Sequence, residues 1–221
     1  TPAGAQGMNT GIQDGYNLAW KLASVLRGEA GAQLLESYNE ERLENAKDLL
    51  RTTDRFFQFG ASPDAFISFF RTQVFPHIAG YALGFEAVKK FVFPRVSQIG
   101  INYRNSSLSE TLPVGGGFNV KAGDRMPYFE ISGASVYEKL KEPKFHLVTF
   151  FDGGTAPENP LENLANEWLD FHQFPLFPHV AEIFGTGKTF SLVLRPDNYI
   201  GLITQENTPE YLTNYLQKIS V

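Results

Sequence analysis

Phe145-His146-Leu147-Val148-Thr149-Phe150-Phe151, closed by Asp152-Gly153-Gly154, is the stretch on which the fold turns. A short, mostly apolar run rich in β-branched and aromatic residues and ended by turn formers reads as a buried strand. Moving toward the C-terminus, Leu161 to Phe171 has helical spacing through Leu161, Leu164, Ala165, Trp168 and Leu169, and Val180 to Phe184 reads as a second short strand. Phe190–Leu194 and Tyr199–Thr204 flank Arg195-Pro196-Asp197-Asn198, where Pro fixes φ and Asn tolerates the left-handed region, so the two runs form a hairpin. Thr208-Pro209-Glu210 caps a last helix that reaches Ile219.

Strand, helix, strand, hairpin, helix is the order of a small thioredoxin-like α/β sandwich. The chain has no Cys, so the reactive pair of a thioredoxin is missing and thiol redox chemistry, disulfides and thiolate metal sites are all excluded.

Upstream of about residue 105 the hydrophobic period changes from two to that of helices. Asn9 or Thr10 can cap a helix running to about Arg27, with Ile12, Tyr16, Ala19, Leu22, Ala23 and Leu26 on one stripe and Gly28 just beyond its end. A second helix is expected from about Ala32 to Phe57, with Leu35, Tyr38, Arg42, Ala46, Leu49 and Leu50 near one face. Ser62-Pro63-Asp64 opens a third to about Arg71, and residues 77–92 hold another helical stretch. Ser, Gly and Thr concentrate after Arg104, which sets a domain boundary between 1–104 and 105–221. Eleven aromatic residues lie between Phe56 and Phe93. They either fill a helical core, the commoner use, or line the cavity of an aromatic or polycyclic substrate.

Composition narrows the function. With 221 residues, 43% hydrophobic, the chain can bury one large core or two modest ones. Residues 1–105 hold 11 Lys/Arg and 10 Asp/Glu, and 106–221 hold 8 and 14, so the halves carry +1 and −6 and neither offers the basic stripe of a nucleic-acid surface. Nothing approaches the roughly 20 apolar residues of a membrane span, and the start lacks a basic secretory n-region, so a cytoplasmic protein is expected. His77, His146, His172 and His179 stand too far apart for a short metal-ligand motif; no metal site is expected, and His146 reads as a satisfied core histidine. Asp124-Arg125 suits a salt bridge at the domain interface better than a ligand contact.

The opening Pro2-Ala3-Gly4-Ala5-Gln6-Gly7-Met8-Asn9-Thr10-Gly11 leads into the first helix. Small residues let another group approach the backbone, and the free N–H groups of a helix N-terminus favour a partly negative partner. A glycine-rich loop is as readily a simple turn, and no G-x-G-x-x-G is present to hold a pyrophosphate.

The run from Gly4 to Leu22, Gly-Ala-Gln-Gly-Met-Asn-Thr-Gly-Ile-Gln-Asp-Gly-Tyr-Asn-Leu-Ala-Trp-Lys-Leu, closely resembles a signature of class A FAD-dependent aromatic monooxygenases, with Ala5 and Gly15 departing from the usual Gly and Ala. Further matches follow in order: Leu35-Glu36-Ser37-Tyr38 with Glu41-Arg42, Tyr103-Arg104-Asn105-Ser106, Ala122-Gly123-Asp124-Arg125-Met126-Pro127, and Arg195-Pro196-Asp197-Asn198-Tyr199. They resemble the phenol, polyketide and rifampicin hydroxylase branch. That resemblance implies an α+β chain: the helical tail of an FAD-binding domain over 1–104, followed over 105–221 by a thioredoxin-like domain without cysteines. Family members are about twice this long, and the absent Met at position 1 agrees with a C-terminal half whose partner is an N-terminal FAD-binding half.

By the same resemblance, the whole enzyme uses FAD, NAD(P)H and O₂ to hydroxylate an aromatic or polyketide-like substrate. Pro2, Gly4, Gln6, Gly7, Met8 and Asn9 are then the cofactor-binding residues. The N–H groups around Gly7, Met8 and Asn9 face the pyrimidine end of the flavin, and the Pro2 carbonyl lies near its oxygen-activating edge. No side chain reads as an obligatory acid, base or nucleophile, the fragment alone is expected to be inactive, and a homodimer is possible within the family. The rival reading, for 106–221 alone, is a non-catalytic module for bracing or dimer contacts.

Overall fold

The computed structural model describes residues 7–112, 117–157, 168–205 and 209–220. Two compact units result, one built from Thr1–Gly15 and Arg42–Ile101, the other from Tyr16–Glu41 and Asn102–Val221.

The first unit is helical. It takes the opening turns of α1 (Gly7–Leu26), most of α2 (Glu36–Ala61), then α3 (Ala65–Phe69), α4 (Phe75–Ala82) and α5 (Glu86–Val96). α1 begins at Gly7, so Asn9 and Thr10 lie within its first turn rather than at the cap. A four-residue 3₁₀ turn, Ala32–Leu35, precedes α2. Ser62 is not the cap of α3: the Asp64 carboxylate accepts from the N–H groups of Phe66 and Ile67, both at 2.9 Å. Phe70–Val74 forms a π-helical turn between α3 and α4. Pro76 explains it, since a residue without an N–H cannot continue the i→i−4 ladder and the ladder shifts register before it. Core filling is not the role of most of the described rings of the aromatic run within this chain: Phe57, Phe66, Phe69, Phe75, Tyr81, Phe85 and Phe93 are all exposed, while Phe59 and Phe70 are half-buried.

The second unit is an α/β sandwich. Its five-stranded sheet is built from β1 (Glu110–Leu112), β4 (Phe145–Phe151), β5 (Leu169–Pro175), β6 (Phe190–Leu194) and β7 (Ile200–Thr204), in the order β1-β7-β6-β4-β5. β4 runs parallel to β5 and antiparallel to β6, β6 is antiparallel to β7, and β1 is parallel to β7. Stripped of β1, this is the thioredoxin-like arrangement expected from the element order. A small ribbon of β2 (Glu130–Ile131) and β3 (Ala134–Ser135) leads into α6 (Val136–Lys139), whose Ser135 and Glu138 make a reciprocal capping box.

Both faces of the sheet are covered, which is why β4, β6 and β7 read as continuous apolar runs rather than alternating ones. On one face Val148, Phe150, Phe190, Leu192 and Ile203 pack with Phe129, Val180 and Phe184. On the other, Phe145, Leu147, Leu169, Val193 and Leu202 pack with Trp20, Leu34, Leu212, Tyr215 and Ile219, the last three from α8 (Pro209–Ile219).

The expected strand at Val180–Phe184 is a helix, α7 (Pro178–Phe184), with Pro in its first turn and Gly185 left-handed at its end. The expected helix over Leu161–Phe171 gives way at its end to β5, where Leu169 and Phe171 lie in register with Phe145 and Leu147; residues 158–167 are outside the described set. The hairpin forms as expected, with Asn198 at φ 64° and the Asn198 N–H bonded to the Arg195 carbonyl.

α1 buries a different face from its apolar stripe. Ile12, Tyr16, Leu22 and Leu26 are exposed, whereas Thr10, Asn17, Trp20, Lys21 and Ser24 are buried. The spacing is helical, but the face is polar, and the charges that satisfy it come from elsewhere in the chain. Two glycines allow close approach, one of a side chain and one of backbone. A Cβ on Gly201 would collide with the Tyr215 hydroxyl, and one on Gly123, at φ +85°, with the Arg104 backbone nitrogen.

Candidate functional site

Of the six candidate cofactor residues, Pro2, Gly4 and Gln6 lie outside the described residues. Gly7, Met8 and Asn9 form the exposed first turn of α1, which carries no acidic side chain. A Cβ added to Gly7 would meet nothing within 4 Å. The first-turn N–H groups of a 20-residue helix have no acceptor within the helix, and they stand beside a glycine with nothing described within 4 Å of an added Cβ, an arrangement suited to a flat partner of partly negative charge. In the same unit, Asp14 of the second turn is held by Arg42 at 2.5 Å, and Thr10 Oγ1 accepts from Gln98 at 2.8 Å.

The sandwich unit contains a buried charge cluster. Glu41 accepts from Arg195 Nη1 and Nη2 (2.5 and 2.9 Å), Lys21 Nζ (2.8 Å), Asn17 Nδ2 (2.7 Å) and Ser106 Oγ (2.8 Å). Asp197 accepts from Arg195 Nε and Nη2 (3.0 and 2.6 Å), from Trp20 Nε1 (3.0 Å) and more weakly from Asn17 (3.3 Å). The guanidinium carbon of Arg195 stands 5.3, 5.5 and 5.9 Å from the ring centroids of Trp20, Tyr103 and Tyr199.

Two cations and two carboxylates balance, and their fork geometry makes such burial tolerable. Burial pushes the Glu41 carboxyl up, but Arg195, Lys21 and Asn17 together hold it well below the ordinary carboxylate range. Burial lowers Lys21 to about 8 against the opposing pull of Glu41. For Arg195 the carboxylates outweigh burial, and it stays charged.

These residues come from the motifs that sequence reading picked out separately. Asn17, Trp20 and Lys21 belong to the first, Glu41 to the second, Tyr103 and Ser106 to the third, Arg195 and Asp197 to the last. The fourth adjoins them. Gly123 donates to the Ile200 carbonyl at 2.6 Å, Asp124 is bidentate with Arg104 at 2.7 and 2.9 Å, and Arg125 forms an isolated bridge with Tyr199. Arg104 and Asp124 both belong to the unit that holds Asn102–Val221, so this salt bridge is internal to the sandwich unit. The cluster residues are all buried, so the cluster's part is to fix the backbone elements that carry them.

His146 is satisfied, as expected of a core histidine: its Nε2 lies 2.9 Å from the Glu142 carbonyl and its Nδ1 lies 3.0 Å from His172 Nε2. Burial lowers both imidazoles below their ordinary range. The partner His172 was not readable in sequence, because strand pairing across β4 and β5 supplies it.

Comparison with known proteins gives this geometry a context. A family model described as an FAD binding domain matches residues 1–53. A flavin-dependent monooxygenase of Mycobacteroides abscessus is 33% identical over 213 residues, which are 95% of this chain and 36% of that protein. The 6-methylpretetramide 4-monooxygenase of Streptomyces rimosus is 32% identical over 244 residues, 99% of this chain and 42% of that protein. Along nearly its whole length the chain is thus similar to part of proteins named as monooxygenases, and its first 53 residues match an FAD binding domain. It spans well under half the length of these two relatives.

Among solved structures, BexE, studied for oxidation during BE-7585A biosynthesis, matches this chain with a TM-score of 0.67 and 28% identity, covering 98% of it and 42% of BexE. The OxyS anhydrotetracycline hydroxylase of Streptomyces rimosus matches with a TM-score of 0.68 over 97% of the chain and 41% of OxyS, a likeness of fold at 23% identity. No helix among the described residues is long and apolar enough to cross a membrane.

Proposed function

We infer that this chain supplies the flavin-ring side and the thioredoxin-like part of an FAD- and NAD(P)H-dependent monooxygenase acting on an aromatic or polyketide-like substrate. The observation that carries this reading is the exposed first turn of α1, with nothing described within 4 Å of a Cβ added to Gly7 and no acidic side chain in that turn, inside the span matched by the FAD binding domain. Both its sterics and its polarity fit a flavin. When bound, FAD supplies the activation of O₂ and the oxygen transfer. The chain's own contribution is positional. Backbone N–H groups of Gly7, Met8 and Asn9 would donate to the pyrimidine edge, where negative charge grows on reduction, and Pro2, Gly4 and Gln6, which lie outside the described residues, are the further cofactor-binding residues of this reading.

Residues 1–104 act in this reading as part of the monooxygenase domain, and 105–221 as a brace without redox chemistry of its own, in keeping with the absence of Cys. The exposed rings of Phe66, Phe69 and Tyr81 supply apolar surface of the kind an aromatic substrate needs. Alone, the chain does not retain FAD, because no G-x-G-x-x-G loop is present to hold the pyrophosphate. A chimaera in which this chain replaces the matching segment of the Mycobacteroides abscessus relative tests the reading. It is expected to oxidise NADH or NADPH faster in the presence of phenolic or polyketide substrates. A flavin-loaded chimaera whose rate responds to none of them would overturn the substrate class.

A further inference from the structure

The edge of the sheet opposite β1 carries a group of side chains that the flavin reading does not use. Parallel pairing of β4 and β5 sets His146 opposite Asp170 and Val148 opposite His172, so His146, Asp170 and His172 project from one face at the edge strand. One ligand atom from each lies within 4.8 Å of the other two.

We propose that His146 Nδ1, His172 Nε2 and an Asp170 carboxylate oxygen form a binding site for one first-row transition-metal dication of the Zn²⁺ type. Three features support this. The Glu142 carbonyl, 2.9 Å from His146 Nε2, can only accept, so the neutral ring carries its proton there and turns the bare lone pair of Nδ1 toward His172. That is the outer hydrogen bond that orients a metal-ligating histidine. Second, Nδ1 and His172 Nε2 are 3.0 Å apart. Tetrahedral coordination with bonds of about 2.0–2.1 Å needs a separation of about 3.3 Å, so a small opening of the pair admits the ion.

Third, the site is anchored on one side and accessible on the other. His146 is 2% exposed, whereas His172 and Asp170 are half-buried on an edge strand, so part of each remains within reach of solvent, from which a water would take the fourth position. Lys144 Nζ, 3.4 Å from Asp170 Oδ1 and itself partly exposed, is the competing cation that a dication displaces. Without metal, His172 Nε2–H donates to His146 Nδ1; a shift of the His172 proton to its other nitrogen frees the second lone pair without net proton release. Two imidazoles with one carboxylate select Zn²⁺, Ni²⁺ or Cu²⁺ over Mg²⁺, which demands octahedral oxygen.

The test is a Zn²⁺ titration of the tag-free chain in competition with a chromophoric chelator. One equivalent per chain is expected to bind with micromolar or tighter affinity. His172→Ala should weaken it by about 100-fold or more and Asp170→Asn by about tenfold, while His77→Ala and His179→Ala leave it unchanged. Co²⁺ should develop tetrahedral visible bands that Asp170→Asn alters, a readout that serves if His172→Ala misfolds. Failure of the unaltered chain to bind Zn²⁺ at about 100 μM, or binding that survives both substitutions, would show that the pair is a hydrogen bond only.

Discussion

Replacing Glu41 by Gln tests the buried cluster most severely. The substitution keeps the shape of the side chain and removes one charge from a group of two cations and two carboxylates. Lys21 and Arg195, both fully buried, are left with Asp197 as the remaining carboxylate of the cluster. The new amide also turns a donor toward Arg195, Lys21, Asn17 or Ser106, all of which now donate to Glu41. Breaking a buried pair in this way typically costs about 3–5 kcal/mol. In a chain of this size that corresponds to a fall in Tm of roughly 6–20 °C.

Urea unfolding followed by tryptophan fluorescence is the assay, because Trp20 donates to Asp197 within the cluster. Adding Lys21→Met to Glu41→Gln removes the uncompensated cation and should restore at least half of the loss, giving a large coupling in the double-mutant cycle. A Glu41→Gln loss below about 1 kcal/mol, or simple additivity with Lys21→Met, would refute the view of the cluster as one balanced unit.

Stability should also follow pH through the same residues. Glu41 titrates well below its ordinary 4.5 in the fold, so its contribution is complete above that value and disappears as pH falls toward the folded one. Lys21, lowered to about 8, makes the unfolded chain bind more protons between about 8 and 10.5, so stability should rise over that window. Urea midpoints against pH should show an acid limb that Glu41→Gln flattens. Gly201→Ala should cost about 2–4 kcal/mol by driving the Tyr215 hydroxyl off the Leu108 carbonyl, read by thermal melting. Arg104→Ala, at a half-exposed pair, should cost no more than about 1 kcal/mol. Phe66→Ala and Phe69→Ala, both exposed, should lower the chain's stability by less than about 1 kcal/mol, and a loss near that of a buried Phe would place them in a core after all.

Where local chemistry decided the structure, the sequence was legible. Arg195-Pro196-Asp197-Asn198 could be read as a hairpin turn, and Gly28 as the stop of α1, because φ preferences belong to single residues. The strand Phe145–Phe151 was equally plain. The buried face of α1 was not: hydrophobic periodicity selects Ile12, Leu22 and Leu26, while the face that packs carries Asn17 and Lys21, whose partner Glu41 is itself completed by Arg195 154 residues away. β5 was hidden because Asp170, His172 and Gln173 give an edge strand a polar look, and Leu169 fits a helical stripe as well as a strand. α7 was misread for the opposite reason, since a short apolar segment does not reveal its period. The five motifs were recognisable one by one, but their convergence on one buried cluster follows only from the fold.

The central claim, that the first turn of α1 receives a flavin, is tested most directly by the flavin content of the chimaera with the Mycobacteroides abscessus relative. Because Gly7 faces open space, Gly7→Val should leave the fold of the chain intact while placing a β-branched side chain where the ring must approach. The account predicts one FAD per chimaera by visible absorbance, a colourless isolated chain, and loss of the bound flavin in the Gly7→Val chimaera at unchanged Tm of the isolated chain. A Gly7→Val chimaera that keeps its full complement of FAD would contradict it.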